Sequence, residues 1–353
     1  MKKVVFALLS CVVCGGAIGA VPPVSTLRGP YPILSVPYKT DGALDVETLV
    51  EEARFVARCG VNGFIWAQSN DAVDLLTIDE RKASFTALAA AFSGSETVVA
   101  LGCQGADASA MESLARHVEY LDGKYPATRL VIVSRPPHDA RSQEDIESYY
   151  RRLAAIAKRP VIIQTYTSDK VPIPSSKLLV SLAAEYPSVY GWIKEETGGE
   201  DANSRMIAEV SAPQIKTVFS AWGSFGWLDQ YRRFGTRGLV SKRAGYADVL
   251  MYIWNALENK NEGMADAAFA RYLLMMNLKE TIPGGHLRGF NLYVLKKRGI
   301  FKNFLSRDYV DVEKTPGKWK LVDRVFDSGE IETIERRYAQ LAPYLNLDAE
   351  KSR

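Results

Sequence analysis

The stretch VYGWIKEETGG, residues 189–199, closes an apolar run on a single amine, Lys194, and follows it with Glu195, Glu196 and a glycine pair. A lysine held inside a concave site loses hydration, which disfavours its ammonium form. The free amine can attack a carbonyl and form an imine. Once protonated, that imine is an electron sink for making or breaking the adjacent carbon–carbon bond. The plainer reading is a solvated or salt-bridged charge at a strand end. Side chains alternate along a strand, so at most one of Glu195 and Glu196 shares the side of Lys194. A carboxylate on that side favours the ammonium and opposes the chemistry.

What must position such an amine is a series of short apolar runs. They begin at Pro32, Gly63, Thr97, Leu130, Val161, Val189, Thr217 and Gly238. Each is nearly continuously apolar, as strands buried on both faces of a parallel sheet are. Helical patterns lie between them. One follows Asp45 as cap, one opens on Thr77 with Glu80 three residues on, and others start near Ser142, Pro174 and Tyr246. The alternation predicts a (β/α)8 barrel over residues 29–258, with a C-terminal helical region at 259–353 packed on the barrel or on a neighbouring subunit. A doubly wound open sheet is the alternative, but no Gly-x-Gly-x-x-Gly follows the first strand.

In such barrels the chemistry sits at the C-terminal strand ends. That selects Gln68, Ser69, Asn70 and Asp71 after strand two, and Arg135, His138 and Asp139 after strand four. Gln164, Tyr166 and Asp169 follow strand five, and Lys194, Glu195 and Glu196 strand six. Strand seven adds Ser220 and Trp222; strand eight adds Ser241, Lys242 and Arg243. Trp66, Trp192 and Trp222 read as core rather than as sugar-stacking surfaces. A histidine at position 138, with an ordinary pKa of about 6.5, could carry protons. Gln164 could hold a substrate hydroxyl or carbonyl but cannot titrate.

Composition narrows the partners. The formal charge of +3 over 353 residues lacks the basic excess of a nucleic-acid binder. The histidines and cysteines show no metal-ligand spacing; Cys11 and Cys14 fall inside an N-terminal apolar run. Residues 1–20 read as a signal peptide, with Lys2 and Lys3, an apolar stretch from Val4 to Val13, and small residues at Gly19 and Ala20. The expectation is a periplasmic or extracellular protein, free of the membrane after cleavage. Lipoprotein anchoring at Cys11 is the alternative. Cys59 and Cys103 fall at opposite ends of a barrel, which argues against a disulfide between them.

The order of motifs resembles the dihydrodipicolinate synthase / N-acetylneuraminate lyase family of class I aldolase-type barrels, over roughly residues 29–305. GPYPILSVPYKTDGALDVETL resembles its opening, and CGVNGFIWAQSNDAVDLLTIDER its second unit. GWIKEETGG is similar to its strand-six lysine segment, and GTRGLVSKRAGYADV to its strand-eight segment. The resemblance implies that Lys194 is the Schiff-base residue and that no cofactor is needed beyond it. Ser69 and Asn70 stand where the family's paired threonines hold a keto acid's carboxylate. Gln164 stands at the catalytic tyrosine, with Tyr166 two residues on as a partial substitute. His138 matches the relay tyrosine, and Asp169 an arginine for a second carboxylate.

Dihydrodipicolinate synthesis itself is therefore not expected. Together with the N-terminal signal pattern, the resemblance implies an exported carbon–carbon or carbon–oxygen lyase acting on a small 2-keto acid or sugar acid, working as a homodimer or homotetramer. The alternative is a binding barrel that lost its tyrosine relay.

Overall fold

The structure is a computed structural model, and it describes residues 27–68, 72–166, 171–197, 201–221, 225–241, 243–278, 282, 287–310, 315–323 and 325–351. Residues 1–26, which include the expected signal peptide, and Ser69, Asn70, Asp71, Asp169, Trp222, Lys242 and His286 lie outside these residues.

Strands and helices alternate as the apolar runs require. The first half contains β1 (Gly29–Pro32), α1 (Val46–Arg58), β2 (Gly63–Trp66), α2 (Ile78–Ala91), β3 (Val98–Gly102), α3 (Ala108–Lys124), β4 (Leu130–Ser134) and α4 (Gln143–Ala154). The second contains β5 (Val161–Gln164), α5 (Ser176–Glu185), β6 (Trp192–Glu195), α6 (Asp201–Ser211), β7 (Thr217–Ser220), α7 (Trp227–Phe234), β8 (Gly238–Ser241) and α8 (Ala247–Glu258). Helices α3, α6 and α7 complete the alternation at places the sequence reading did not name.

All eight strands are parallel, in the order β1-β8-β7-β6-β5-β4-β3-β2, and a bridge between Ile33 and Ile65 joins the ends. The fold is therefore a (β/α)8 barrel. β1 starts three residues before the predicted run, at Gly29. Gly29 N–H donates to Arg237 O at 3.0 Å and Ile33 N–H to Ser241 O at 2.6 Å, both toward β8. Pro30 and Pro32 have no N–H to give on the β2 side. Closure there rests on the bridge and on Leu34 N–H donating to Ile65 O at 2.9 Å.

Alternation along the strands separates two apolar clusters. Tyr31, Ile33, Ile65, Val98, Ala100, Val131, Val133, Ile162, Trp192, Phe219 and Val240 fill the lumen. Phe64, Trp66, Val99, Leu101, Ile132, Ile163, Ile193, Val218 and Leu239 belong to the outer cluster with the helices. Trp66 and Trp192 are thus core, as read. In the lumen Tyr31 and Phe219 meet edge to face at 5.4 Å. A Cβ at Gly63 would lie 2.3 Å from the Tyr31 ring, so only glycine fits opposite that tyrosine.

Helix starts follow their side-chain caps. Asp45 accepts from Thr48 N–H at 3.1 Å. Thr77 and Glu80 form the expected capping box, with bonds of 3.1 and 2.9 Å. Such caps contribute about 1 kcal/mol each. Cys59 and Cys103 are buried and free. No described helix is long and apolar enough to cross a membrane.

The C-terminal region is helical with one addition. It contains α9 (Glu262–Met276), α10 (Leu287–Lys297), α11 (Ser328–Ala339) and α12 (Asp348–Lys351), but also an antiparallel pair, β9 (Leu305–Asp308) with β10 (Lys320–Asp323). The extended backbone of β9 lets Arg307 reach Glu80 at 2.6 Å and lie over the rings of Tyr38 and Trp319. A second tie is the buried pair of Arg298, after α10, with Asp248 in α8, at 2.6 Å. Asp248 also accepts from Asn346 N–H at 2.7 Å.

Removing one partner of a buried ion pair leaves the other uncompensated. Arg298→Met should lower unfolding free energy in urea by about 3–5 kcal/mol, and adding Asp248→Asn should recover most of that loss.

Candidate active site

Lys194 occupies the third position of β6, in register with Gln164 of β5 and Phe219 of β7. Trp192 faces the lumen and Ile193 faces outward, so alternation turns Lys194 inward and Glu195 outward. The lysine side chain is 1% exposed, so it is not solvated, while its ion pair with Glu196 keeps the salt-bridged reading.

Three polar side chains surround the amine. Lys194 Nζ donates to Gln68 Oε1 at 3.1 Å, and Glu196 Oε2 lies 3.3 Å away. Gln164 Nε2 donates to the same Glu196 oxygen at 2.5 Å. The alternation rule is obeyed: Glu196, two residues on, shares the lysine's side and Glu195 does not. The carboxylate that opposes a free amine is therefore present.

Gln68 reaches the site through an unusual backbone. Ala67, the residue after β2, has φ +59°, in the left-handed region, which costs a non-glycine residue about 1–2 kcal/mol. Gln104 Nε2 donates to Ala67 O at 2.8 Å and also to Gln68 O, holding this turn. β3 passes so close that a Cβ on Gly102 would lie 2.0 Å from Ala67 O. An ammonium only donates, so Gln68 presents its carbonyl to Lys194. Its Nε2 is then a buried donor with no partner among the described residues.

Behind the strand, Glu195 is fully buried and well satisfied. It accepts from Thr165 Oγ1 at 2.9 Å, Thr197 N–H at 2.6 Å and Arg205 Nη2 at 3.2 Å. Thr165 Oγ1 also accepts from Glu196 N–H at 2.8 Å, so the outer network fixes the backbone of the inner carboxylate. Glu209 of α6 shares Arg205 at 3.2 Å and accepts from Ser176 Oγ at 2.8 Å. Burial, then the charge of Glu195, pushes the Glu209 carboxyl up to about 8, against the pull of Arg205.

The remaining sequence candidates make contacts of their own. Tyr166 is 36% exposed, and the guanidinium of Arg135 lies over its ring at 5.5 Å. Arg135, buried after β4, reaches Asp74 at 3.4 Å. The rim thus carries a cation–aromatic pair tethered to the loop after β2. His138 is half-buried in the β4–α4 loop, where its carbonyl accepts from Arg141 Nη1 at 2.8 Å. Ser69 and Asn70 lie outside the described residues, so the expected carboxylate cradle has no geometry here.

Gln68, Glu196 and Arg135 were named only as strand-end residues by the sequence. Glu196 could have been found from the same alternation that selects Lys194. Gln68 could not, because its placement depends on Ala67. Among the described residues no cluster of His, Cys, Asp or Glu is arranged to hold a metal. A groove of about 850 Å³ beside α1, lined by Glu51, Arg54, Arg58 and Lys302, includes none of the Lys194 cluster.

The protein is thus an eight-stranded parallel barrel with a buried lysine at the C-terminal end of strand six. No protein-family model matches the chain. It is 27% identical over 259 residues to an uncharacterised DapA-like lyase of Halobacterium salinarum, spanning 73% of this chain and 80% of that one. It is 24% identical over 245 residues to the 4-hydroxy-tetrahydrodipicolinate synthase of Bacillus subtilis, spanning 69% and 80%. It superposes on the N-acetylneuraminate lyase of Mycoplasma synoviae with a TM-score of 0.67 at 18% identity, covering 89% and 97% of the two chains. These relatives and structural neighbours support the dihydrodipicolinate synthase / N-acetylneuraminate lyase family for the chain, as a divergent sequence at low identity.

The raised Glu209 pKa sets a pH dependence. A carboxyl whose folded pKa exceeds its unfolded value contributes stability below the unfolded pKa, and that contribution is lost as pH rises through the folded one. The thermal midpoint should therefore fall between pH 5 and pH 8, by less in Glu209→Gln. Equal pH slopes in the two proteins would refute the assignment.

Proposed function

We propose that the protein is an exported lyase that forms an imine between Lys194 and the C2 carbonyl of a small 2-keto acid, pyruvate or a sugar-derived acid. The observation that carries this reading is the amine itself, 1% exposed at the C-terminal end of β6 and held by Gln68 and Glu196. A surface lysine needs no such enclosure.

Around it the chain supplies binding and proton-handling groups. The unpartnered Gln68 Nε2 is a donor for the acid's oxygen, together with Ser69 and Asn70. Gln164 orients a hydroxyl or carbonyl through its amide. The second substrate or leaving fragment occupies the rim near Arg135 and Tyr166, where His138 moves its protons. A bond to carbon or to oxygen breaks beside the imine. No tyrosine stands at the matched relay positions, so the reaction differs from dihydrodipicolinate synthesis. The lysine itself serves as the covalent group, without a separate cofactor.

A second reading, a binding barrel without turnover, draws on the Lys194–Glu196 pair, which favours the protonated amine. Trapping separates the two. The mature protein, incubated with pyruvate or other 2-keto acids and then borohydride, should gain one reduced keto-acid adduct at Lys194. Folded Lys194→Ala should gain none. Absence of an adduct with every keto acid tried overturns the enzyme reading.

Assembly is a separate proposal. The C-terminal elements supply surface for a dimer or tetramer, and light scattering should report a mass of two or four chains. A monomer at micromolar concentration refutes it.

A further inference from the structure

We infer that Glu196 is the acid–base group of imine formation at Lys194, taking over at the nitrogen the proton transfers for which no tyrosine is in place. The inference rests on the imine reading and assigns a residue that the sequence motif leaves blank.

The geometry is that of a proton carrier. Glu196 Oε2 lies 3.3 Å from Lys194 Nζ, and Gln164 Nε2 donates to the same oxygen at 2.5 Å. Gln164 keeps that oxygen aimed at the amine but has no proton to exchange. Glu196 Oε1 makes no hydrogen bond to a described residue, and the side chain is 14% exposed, so substrate or water can reach it. The backbone beneath is held through Thr165 to the buried Glu195. The ion pair that favours a resting ammonium is thus also the route by which the amine loses its proton.

The steps balance. Glu196 takes one proton from the Lys194 ammonium, and the neutral amine bonds to C2 of the keto acid. The proton surplus on nitrogen passes to the carbinol oxygen through the same carboxyl. Glu196 returns its second load to the carbinol hydroxyl, the C–O bond breaks, and water leaves. The products are a protonated imine, one water and the carboxylate regenerated. No oxidant or second reactant is required.

Glu196→Gln separates proton transfer from positioning, because its amide oxygen still accepts from Lys194 but takes no proton. With pyruvate and cyanoborohydride, the variant should label Lys194 about 100-fold more slowly than wild type, within the range general acid–base catalysis supplies. Its circular dichroism and melting should match wild type. In Glu196→Ala, sodium formate should restore the labelling rate at least about ten-fold by supplying the missing carboxylate. Wild-type labelling with an equal rate in Glu196→Gln overturns the role of Glu196 and leaves the imine intact. Failure of formate to accelerate Glu196→Ala also counts against it. No labelling of wild type by any keto acid overturns the imine reading itself, and this inference with it.

Discussion

An amine removed from water keeps its place only where other groups replace the lost hydration. Desolvation of an ion costs several kcal/mol even after relaxation, and only close, well-oriented partners offset it. In this barrel those partners are Gln68 from the end of β2, Glu196 beyond β6, and Gln164 of β5 acting through Glu196. Strand register, the left-handed turn at Ala67 and the missing Cβ at Gly102 all serve to bring these groups to one nitrogen. The amine is thus held from two sides of the lumen by strands that are not neighbours.

Strand six is equally determined from behind. Its outward carboxylate, Glu195, meets Arg205, Thr165 and the protonated Glu209 in a closed layer between sheet and helices. Two carboxyl groups, one arginine and one proton leave that layer without net charge. Consecutive residues therefore serve opposite purposes. Lys194 faces the lumen, Glu195 fixes the strand, and Glu196 faces the lumen again.

Much of the architecture was legible because parallel strands covered on both faces leave long apolar runs, and because Gly, Pro and capping residues punctuate them. The inward direction of Lys194 and the division of labour between Glu195 and Glu196 follow from alternation alone. Other features were not legible. Gln68 turns inward only because Ala67 adopts a conformation its side chain disfavours, which no local propensity signals. The β9–β10 pair lies in short, mostly polar segments whose fold depends on Arg307 finding Glu80 and two aromatic rings. Tyr166, placed in the site by parity, instead packs with Arg135 at the rim, because the chain leaves the strand after Gln164.

The prolines of strand one have a mechanical meaning. A barrel hydrogen-bonded evenly around its circumference is a hoop, equally stiff in every direction. Here Pro30 and Pro32 leave the join between strands one and two to one bridge and its neighbouring bond, so the hoop is fastened by a clasp. The fifth and sixth strands, fully laddered on the other part of the ring, keep their spacing. The ring is thus lightly fastened at one join and paired along its strands at the join that carries Lys194.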